Sequence, residues 1–584
     1  MTPPGETPTT TPVRIDGLGV RYPGKKTPSL DEISLVVGAG ERVGVAGRTG
    51  AGKSTLALAA AGFIPRVVRA KLDGRVEIDG IGTAGAAADA LLGRVGIVFA
   101  TPANQLSASK LTVREELAFG LENLGVPRAE MDPRIDATLD RLGIEHLADR
   151  EPFALSGGEQ QRVAIASIVA MGTTILVLDE PTAQLDPAGT AAVADLLEEL
   201  ARAGSAVLCA EHDPSVLGRM DRCLVLERGR TVALDVPGTA LGLAEGIAGL
   251  TPPTLVRLAQ VASLDLARAF DESAIAAGLR AWSGLGALPD GRAAAAGSGG
   301  EHPDAGPAWT PGRERAPVRI TIDGLVHRYP GGVEAVRGAS LTIEPGEAVA
   351  ILGQNGSGKT TLVKHLNGLL RPDAGRVLLD GESTAGRSVA DLARTVGFVF
   401  QDPDDQLFER SVEREAAFGP RNMGMTAAGV ASRVAGSLAA VGLTDERATN
   451  PYDLDLSRRK LVALAGILAM DPAVLVLDEP TTGQDTDGVA RVAAIIEAFR
   501  AVGRSVVTIT HDMEFAATRF SRIVVMRAGE VVADGAPGEV FGPQGRSLLA
   551  STGLVPPPAA RIAAQMGLDA VSLDAAGLLA ALRP

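Results

Sequence analysis

Cysteine is almost absent from this sequence of 584 residues, which contains only Cys209 and Cys223. Both lie in short apolar runs, AVLCA and RCLVLE, that have the composition of buried strands. Two cysteines in such positions indicate small core residues in a reducing compartment, and they exclude a disulfide framework as the basis of stability.

Long apolar runs are also lacking, since none approaches the ~20 residues that a membrane-spanning helix requires. The segment LVALAGILAM is about half that length and stops at Asp471-Pro472. The first residues, MTPPGETPTTTP, lack the basic start and apolar run of a signal peptide, so residues 1–12 predict a short disordered lead. We therefore expect a soluble, cytoplasmic protein.

Positive charge is in deficit, because the chain carries 56 Lys and Arg against 70 Asp and Glu, a net charge of −14. Proteins that bind nucleic acid usually have a basic footprint, so we expect no nucleic-acid partner. The length exceeds what one hydrophobic core supports, which predicts several domains.

The chain consists of two similar halves. VRIDGLGVRYPG from Val13 recurs as ITIDGLVHRYPG from Ile320, and GLTPP from Gly249 recurs as GLVPP from Gly553. Between the copies lies a stretch rich in alanine, glycine and proline without periodicity. A flexible linker over residues 283–317 spans roughly 30–35 Å, enough for the halves to pair within one chain.

The repeat predicts six segments. They are a disordered lead (1–12), a first large domain (13–245) with a helical tail (246–282), a flexible linker (283–317), and a second large domain (318–550) with its own helical tail (551–584).

Each half predicts an α/β fold. Short runs of Val, Ile and Leu alternate with helical patterns of Ala and Leu. Runs such as ILVLDE and VLVLDE are continuously apolar, as strands buried on both faces are. A mainly parallel sheet therefore forms the predicted core of each half.

Each half also carries the pattern G-x-x-x-x-G-K-[ST] between a short strand and a helix, which is the context that a phosphate-binding loop needs. A chance glycine-rich turn is the alternative, but two copies in the same context favour phosphate binding. Backbone N–H groups would contact phosphate oxygens, the lysine would reach the β- and γ-phosphates, and the hydroxyl would bind Mg²⁺. The candidate nucleotide-binding residues are Gly47, Arg48, Thr49, Gly50, Ala51, Gly52, Lys53, Ser54 and Thr55, and Gly353, Gln354, Asn355, Gly356, Ser357, Gly358, Lys359, Thr360 and Thr361.

A strand ending in Asp-Glu follows each loop. Asp179 and Asp478 are candidate Mg²⁺ ligands beside the hydroxyls of Ser54 and Thr360, while Glu180 and Glu479 can orient or deprotonate an attacking water. A lone Asp-Glu would more often be a plain strand end, but two copies downstream of two phosphate loops favour catalysis. His212 and His511 each follow the next apolar strand and are candidate γ-phosphate sensors.

The motifs of this chain resemble those of ATP-binding cassette ATPases. They follow the same order along the chain: the phosphate loop, then LSGGEQQR (155–162), then LVLDEPT, then the histidine. The resemblance covers both halves. It implies two P-loop NTPase domains, each with a parallel-sheet core, an α-helical signature subdomain and a short helical tail. It also implies ATP as substrate, Mg²⁺ as cofactor and hydrolysis as the activity.

The same resemblance assigns further roles. Tyr22 and Tyr329, in RYPG, match the aromatic residue that stacks on adenine, and Gln401 matches the glutamine that reaches Mg²⁺ and the attacking water. Ala100 stands at the corresponding position of the first half. In the signature segment of the first half, the residues that match the family's γ-phosphate contacts are Ser156, Gly157, Gly158 and Glu159.

The second half has LDLSRRKL (454–461) where the first has its signature. Cassettes of this family pair head to tail, so this segment would face the phosphate loop of the first half, which also has Ala100 instead of glutamine. Both departures then fall in one composite site. The resemblance therefore implies one competent site, with the second half's phosphate loop and the first half's signature, and one degenerate site.

The segments FQDPDDQLF and GLVPP further resemble the ATPases of energy-coupling factor importers for vitamins or transition-metal ions. That resemblance implies an integral membrane scaffold protein and a substrate-binding membrane protein as partners, and a location on the inner face of the cell membrane. Two alternatives are a soluble tandem-cassette ATPase that acts on the ribosome or DNA, and the ATPase of a sugar importer.

Overall fold

The computed structural model describes residues 11–183, 185–245, 251–283, 316–568 and 572–582. Nearly all of the predicted lead and linker lies outside these residues. The chain divides into two compact units, one of residues 1–260 with 264–270, the other of residues 261–263 with 271–584.

The first unit contains ten described strands: β1 (Val13–Arg21), β2 (Leu30–Val37), β3 (Arg42–Gly47), β4 (Lys71–Ile78), β5 (Ile81–Gly82), β6 (Val95–Val98), β7 (Ile175–Asp179), β8 (Ala206–Ala210), β9 (Arg222–Glu227) and β10 (Arg230–Asp235). The α-helices of the first half and its tail are α1 (Lys53–Ala60), α2 (Val113–Asn123), α3 (Arg128–Leu142), α4 (Gly157–Ala170), α5 (Pro187–Arg202), α6 (Pro214–Leu217), α7 (Pro237–Leu243), α8 (Thr254–Val261) and α9 (Glu272–Ser283).

The second half has the same order of strands: β11 (Ile320–Arg328), β12 (Glu334–Ile343), β13 (Ala348–Leu352), β14 (Ala374–Leu379), β15 (Glu382–Ser383), β16 (Val396–Val399), β17 (Val474–Asp478), β18 (Ser505–Ile509), β19 (Arg522–Arg527) and β20 (Glu530–Gly535). Its α-helices are α10 (Lys359–Lys364), α11 (Val389–Ala393), α12 (Val412–Asn422), α13 (Ala427–Ala440), α14 (Leu456–Met470), α15 (Thr486–Ala501), α16 (Met513–Arg519), α17 (Pro537–Phe541), α18 (Arg546–Thr552), α19 (Pro558–Met566) and α20 (Ala575–Ala581).

A largely parallel six-stranded sheet forms the core of each unit. The strand orders are β10-β9-β3-β8-β7-β6 and β16-β17-β18-β13-β19-β20, with only the hairpin strands β10 and β20 antiparallel. Every residue of β7, β8, β17 and β18 is buried, which is why these strands read as continuous apolar runs. The predicted parallel α/β core is thus confirmed.

Each unit also has a four-stranded antiparallel sheet, in the orders β2-β1-β4-β5 and β12-β11-β14-β15. A helical layer follows in each half: α2, α3 and α4 bury Leu117, Leu139 and Val163, while α12, α13 and α14 enclose an equivalent apolar cluster. Among the described helices, none is long and apolar enough to cross a membrane.

The predicted tail of the first half is divided between the units. Helix α9 belongs to the second unit and packs on α19 of the second tail. Arg561 Nε donates to Glu272 Oε1 at 3.0 Å, and the guanidinium of Arg280 donates to the carbonyl of Gln565. Ile275 and Leu279 of α9 are fully buried. Apolar burial and an ion pair therefore join the two tails within this unit.

Parallel pairing brings the chemically interesting segments together. In the second unit Asp478 of β17 lies opposite Ile509 of β18, and in the first Asp179 of β7 lies opposite Ala210 of β8. The Asp-Glu pair and the following histidine segment therefore leave the sheet at the same edge. The phosphate loop, which follows β3 or β13, leaves at that edge too, because these strands run parallel to β8 and β18.

Candidate active site

Two glycines in each phosphate loop have conformations that other residues cannot adopt there. At Gly353 φ is +155°, and an added Cβ would lie 2.5 Å from the carbonyl oxygen of Met526. Gly358 has φ +97°, and its Cβ would lie 2.2 Å from the carbonyl oxygen of Ala335. In the first half Gly47 and Gly52 have φ +154° and +108°, and an added Cβ would lie 2.5 Å from Leu226 O and 2.7 Å from Ser29 O, respectively. Both loops thus require glycine for their path between strand and helix.

The lysine of each loop folds back across its own backbone. Lys359 Nζ donates to the carbonyls of Gly353 at 2.7 Å and Gln354 at 2.9 Å. Lys53 Nζ donates to Gly47 O at 3.0 Å and lies 3.8 Å from Glu180 Oε1. Both lysines are buried. Each loop therefore holds an ammonium group at the first turn of its helix.

The hydroxyl after each lysine contacts the strand-end aspartate. Ser54 Oγ donates to Asp179 Oδ1 at 3.1 Å, and Thr360 Oγ1 donates to Asp478 Oδ2 at 3.0 Å. Burial, assisted by the neighbouring glutamate, raises the pKa of both Asp179 and Asp478 to about 6. Asp478 Oδ1 is buried and accepts no hydrogen bond from the described residues. A hydroxyl, a carboxylate and an unpaired oxygen suit a hard cation such as Mg²⁺.

The glutamate after each aspartate pairs with the histidine of the next strand. Glu479 Oε1 lies 2.9 Å from His511 Nδ1, and Glu180 Oε1 lies 2.9 Å from His212 Nε2. Burial alone would raise the pKa of Glu479, but the charge and hydrogen bond of His511, with Lys359, lower it below its usual value. Burial likewise opposes ionisation of His511, yet Glu479 raises its pKa. Glu479 is therefore held as a carboxylate that can accept a proton.

The two glutamates share an unusual backbone conformation. Glu180 and Glu479 have φ of +49° and +51°, in the left-handed region that non-glycine residues rarely occupy. The N–H of Glu479 donates to Ile509 O at 2.9 Å, and that of Glu180 donates to Ala210 O at 2.8 Å. The adjoining strand thus fixes this conformation in both halves.

The tyrosine of each RYPG segment lies against the phosphate-loop helix. Tyr329 OH is 3.1 Å from Thr361 Oγ1, and Tyr22 OH is 3.2 Å from Thr55 Oγ1. Tyr329 is 38% exposed, which leaves part of its ring accessible to a stacking base. The other loop residues that the sequence singled out occupy the same strand-to-helix turns; they are Arg48, Thr49, Gly50 and Ala51, and Asn355, Gly356 and Ser357.

Gln401 is exposed at the start of the segment after β16, and Ala100 takes this place after β6.

A second glutamine, not identified from the sequence, holds the backbone at the start of each segment. Gln406 Oε1 accepts the N–H of Phe400 at 3.2 Å, and Gln105 Oε1 accepts that of Phe99 at the same distance. Each half has a glutamine at this same position, and this repetition was the sequence signal that could have identified the pair.

The signature segment of the first half caps its helix. Ser156 precedes α4, and its hydroxyl and N–H both donate to Glu159 Oε2 at 2.8 Å. The N–H of Glu159 donates back to Ser156 Oγ at 3.4 Å. This capping box fixes the helix start and places Gly157 and Gly158 in its first turn.

The corresponding helix of the second half starts differently. Asp455 caps α14 by accepting the N–H of Arg458 at 2.9 Å. Ser457 points inward, and its hydroxyl donates to Gln484 Oε1 at 2.8 Å. Arg459 Nη1 donates a hydrogen bond to Asp404 Oδ1 at 2.9 Å. The replacement therefore forms a well-capped helix whose serine and Arg459 bond to residues of their own half.

Glu211 is a buried acid beside the first histidine segment that sequence reasoning did not single out. Its carboxylate accepts hydrogen bonds from Thr182 Oγ1 at 2.7 Å and from the N–H of His212 at 2.7 Å. Burial raises the pKa of Glu211 to about 7. Thr510 takes its place in the second half, so the contrast between EHD and THD was the sequence signal.

Comparison with known proteins identifies the family. The ABC transporter family model matches residues 30–183 and 336–482, one region in each half. An ABC transporter ATP-binding protein of Methanosarcina acetivorans is 37% identical over 572 residues, which cover 95% of this chain and 91% of that protein. This chain belongs to the ABC transporter ATPases.

Other relatives are similar over most of this ABC transporter ATPase. An ABC transporter ATP-binding protein of Streptomyces avermitilis is 35% identical over 565 residues, 92% of this chain and 97% of that protein. Among solved structures, CbiO1 of Clostridium perfringens, part of the ABC transporter complex CbiONQ, is 33% identical with a TM-score of 0.37, and covers 43% of this chain and 100% of its own.

Family membership confirms the predicted fold and activity. The protein is a tandem ABC ATPase with two P-loop NTPase domains that bind ATP, each built around a parallel sheet. ABC transporter ATP-binding proteins act with membrane components of a transporter.

Proposed function

We propose that this ABC ATPase drives an importer of the energy-coupling factor type, for vitamins or transition-metal ions. The main support is an exposed aromatic surface beside the Gln401 segment, consisting of Phe408, Phe418 and Tyr452, which are 57%, 43% and 50% exposed. Tyr452 belongs to this surface because its hydroxyl donates to the carbonyl of Leu407 at 2.7 Å. Phe408 and Phe418 pack edge to face with ring centroids 4.6 Å apart. A clustered apolar surface on a charged protein is typical of a docking site.

The proposed partners are an integral membrane scaffold protein, which docks on this surface, and a substrate-binding membrane protein. The ATPase would then act at the cytoplasmic face of the membrane. The QDPDDQLF segment, whose residues Asp404 and Asp405 precede the aromatic surface, supports this type of importer by its resemblance to energy-coupling factor ATPases.

Two composite ATP sites belong to the same proposal. We place Lys359, Thr360, Asp478, Glu479 and His511, together with the exposed Gln401, in a competent site that the signature of the first half completes. The replaced signature of the second half would instead complete the site of the first phosphate loop. That site also has Ala100 in place of glutamine, so it would hold ATP with little hydrolysis.

In the competent site each residue has a defined task. Lys359 would turn its ammonium from the loop carbonyls to the phosphates of ATP, and Thr360 with Asp478 would bind Mg²⁺. Bound Mg²⁺ neutralises charge that develops on the phosphates. Glu479 accepts a proton from the attacking water through its ionised carboxylate. His511 keeps that carboxylate in place through its 2.9 Å contact. The water oxygen bonds to the γ-phosphorus, and the bond to the β–γ bridging oxygen breaks.

The docking surface can be tested by Asp405→Lys combined with Phe408→Ser. Asp405 is the better site for charge reversal because Asp404 already holds Arg459 at 2.9 Å. We expect the variant to lose co-purification with detergent-solubilised membrane partners and to lose transport, while its ATPase activity without membranes stays within about twofold.

Val389→Ser serves as the control, because Val389 is also exposed, at 42%, but lies on α11. It should keep both partners and transport. An Asp405→Lys/Phe408→Ser protein that still co-purifies with membrane components, or that loses ATPase activity in parallel, would refute the docking assignment. Co-purification with ribosomes or DNA instead would support the alternative tandem-cassette function.

The degenerate site can be tested by restoring its missing groups. Replacing Asp455, Leu456 and Ser457 by Ser-Gly-Gly alone should raise turnover by less than about threefold, because Ala100 still leaves this site without its glutamine. Adding Ala100→Gln should increase turnover by more than the product of the two separate factors, since both groups act on one nucleotide.

Thermal unfolding must be measured alongside turnover, because replacing Ser457 by glycine removes the buried hydroxyl that donates to Gln484 Oε1. If the two gains multiply independently in folded proteins, the two departures do not act on one site.

A further inference from the structure

A buried ammonium group lies directly behind the candidate catalytic glutamate of the second half. Lys460 is 7% exposed, and its Nζ donates to the carbonyl oxygens of Glu479 at 3.1 Å and Thr482 at 3.0 Å. Lysine is almost never buried unless its charge is paired. Burial lowers the pKa of Lys460 to about 8, while the carboxylates of Glu479, Asp402 and Asp478 act in the opposite direction.

A second contact fixes the other end of the same loop. Ser457 Oγ donates to Gln484 Oε1 at 2.8 Å, and Gln484 Nε2 donates to Ser457 O at 3.1 Å. Both side chains are buried. The first turns of α14 are therefore attached to the segment 479–484 at both of its ends.

The first half provides an internal comparison. The residues equivalent to Lys460, Ser457 and Gln484 are Gln161, Gly158 and Leu185. Gln161 Nε2 contacts the carbonyl of Phe99 at 3.5 Å, and its buried Oε1 has no hydrogen-bond partner among the described residues. The attachment through Lys460 and Ser457 thus accompanies the replaced signature.

We propose that Lys460 is a positioning residue for Glu479. Its ammonium holds the peptide from which this side chain extends, and it places positive charge near the carboxylate. The replaced signature segment has in this way become a support for the hydrolytic glutamate of its own half. This inference rests on the proposed role of Glu479.

Without the Lys460 ammonium, the buried carbonyl oxygen of Glu479 and the half-buried one of Thr482 lose their donor, so the loop that carries Glu479 would shift to find new partners. Positioning errors of about 1 Å at a reacting group can cost up to about 10²-fold in rate. ATP binding through Lys359 and the phosphate loop would remain, because the Lys460 ammonium donates to the carbonyls of Glu479 and Thr482, outside that loop.

The test is Lys460→Met in the full chain, with steady-state ATP hydrolysis and nucleotide binding measured separately. We expect kcat to fall between about tenfold and 10²-fold, with KM for ATP within about threefold of the unmodified protein. Lys460→Gln should restore part of the loss, because an amide N–H can still donate to one carbonyl.

Arg504→Met is the matched control for stability. Arg504 is also a buried cation, and its Nη1 donates to Asp471 Oδ1 at 2.6 Å and to Pro472 O at 2.9 Å. It precedes β18, so it lies at the opposite edge of the parallel sheet from Glu479. The Arg504→Met substitution should lower the unfolding temperature without lowering kcat per folded molecule.

Two results would overturn the inference: an unchanged kcat in folded Lys460→Met, or an equal loss of kcat in folded Arg504→Met. Glu479→Gln, assayed in the same series, separates the two proposals. If Glu479→Gln retains turnover, the proposed role of Glu479 fails. If only Glu479→Gln loses turnover, the role of Lys460 alone fails.

Discussion

Glu479→Gln is expected to lower steady-state ATP turnover by about 10²–10⁴-fold while ATP still binds, because loss of a general base typically has this cost. Glutamine keeps the size of the side chain but cannot accept the proton of the attacking water. Phosphate release measures turnover, and nucleotide binding is measured separately so that lost binding is not mistaken for lost chemistry.

The matched variant is Glu180→Gln, which should change turnover by less than about tenfold. The two glutamates have the same left-handed backbone and the same 2.9 Å contact with a histidine, so local geometry alone would predict equal losses. We expect unequal losses of turnover because of the signature segments. In the proposed composite sites, the intact signature completes the site of Glu479, and the replaced signature completes the site of Glu180. Comparable losses, or a larger loss in Glu180→Gln, would contradict the proposed asymmetry.

The second large effect is expected from Gly157→Asp in the intact signature. Gly157 is the first residue of α4, where the proposal places the γ-phosphate of the competent site. An acidic side chain there would repel phosphate and block the close approach of the backbone. Losing one such anion-binding contact costs about 10²–10³-fold in comparable sites, so turnover should fall at least that much. The helix should persist, because acidic residues are favourable at helix N-termini.

Leu456→Asp puts the same side chain at the equivalent first position of α14. It should change turnover by less than about threefold, since the proposed degenerate site, which this segment would complete, would contribute little hydrolysis. Assays of phosphate release at saturating ATP, with circular dichroism to verify helix content, make the comparison. Equal losses from the two substitutions would show that both signature positions support hydrolysis.

The sequence was sufficient to predict the parallel core, because strands buried on both faces have continuous apolar sequences. VLVLD in β17 and ILVLD in β7 are entirely buried. The phosphate loops were equally predictable, since their glycines are required by conformations that the structure shows at Gly353 and Gly358.

Contacts between distant segments could not be predicted in the same way. Lys460 appeared in the sequence as one of several basic residues in LDLSRRKL, and nothing local shows that its ammonium reaches the carbonyl of Glu479. The pairing of Ser457 with Gln484 spans 27 residues and involves a substitution in each of two motifs. Comparison of the halves marks both positions as different, but only three-dimensional packing shows that they differ together.

The division of the first tail was not predictable either. Its helices α8 and α9 have similar amphipathic sequences, yet α9 packs on α19 in the second unit. The partner of an amphipathic helix depends on which apolar surface is within reach, and a single sequence does not specify this surface.

The central claim is that hydrolysis takes place at the phosphate loop of the second half. Vanadate trapping of a photoreactive ADP analogue during turnover tests it most directly, if a protease site inserted within residues 284–315 then separates the labelled halves. The label should appear on the half that contains Lys359 and Glu479, and Glu479→Gln should abolish it. Equal labelling of both halves, or labelling mainly of the half that contains Lys53, would contradict the account.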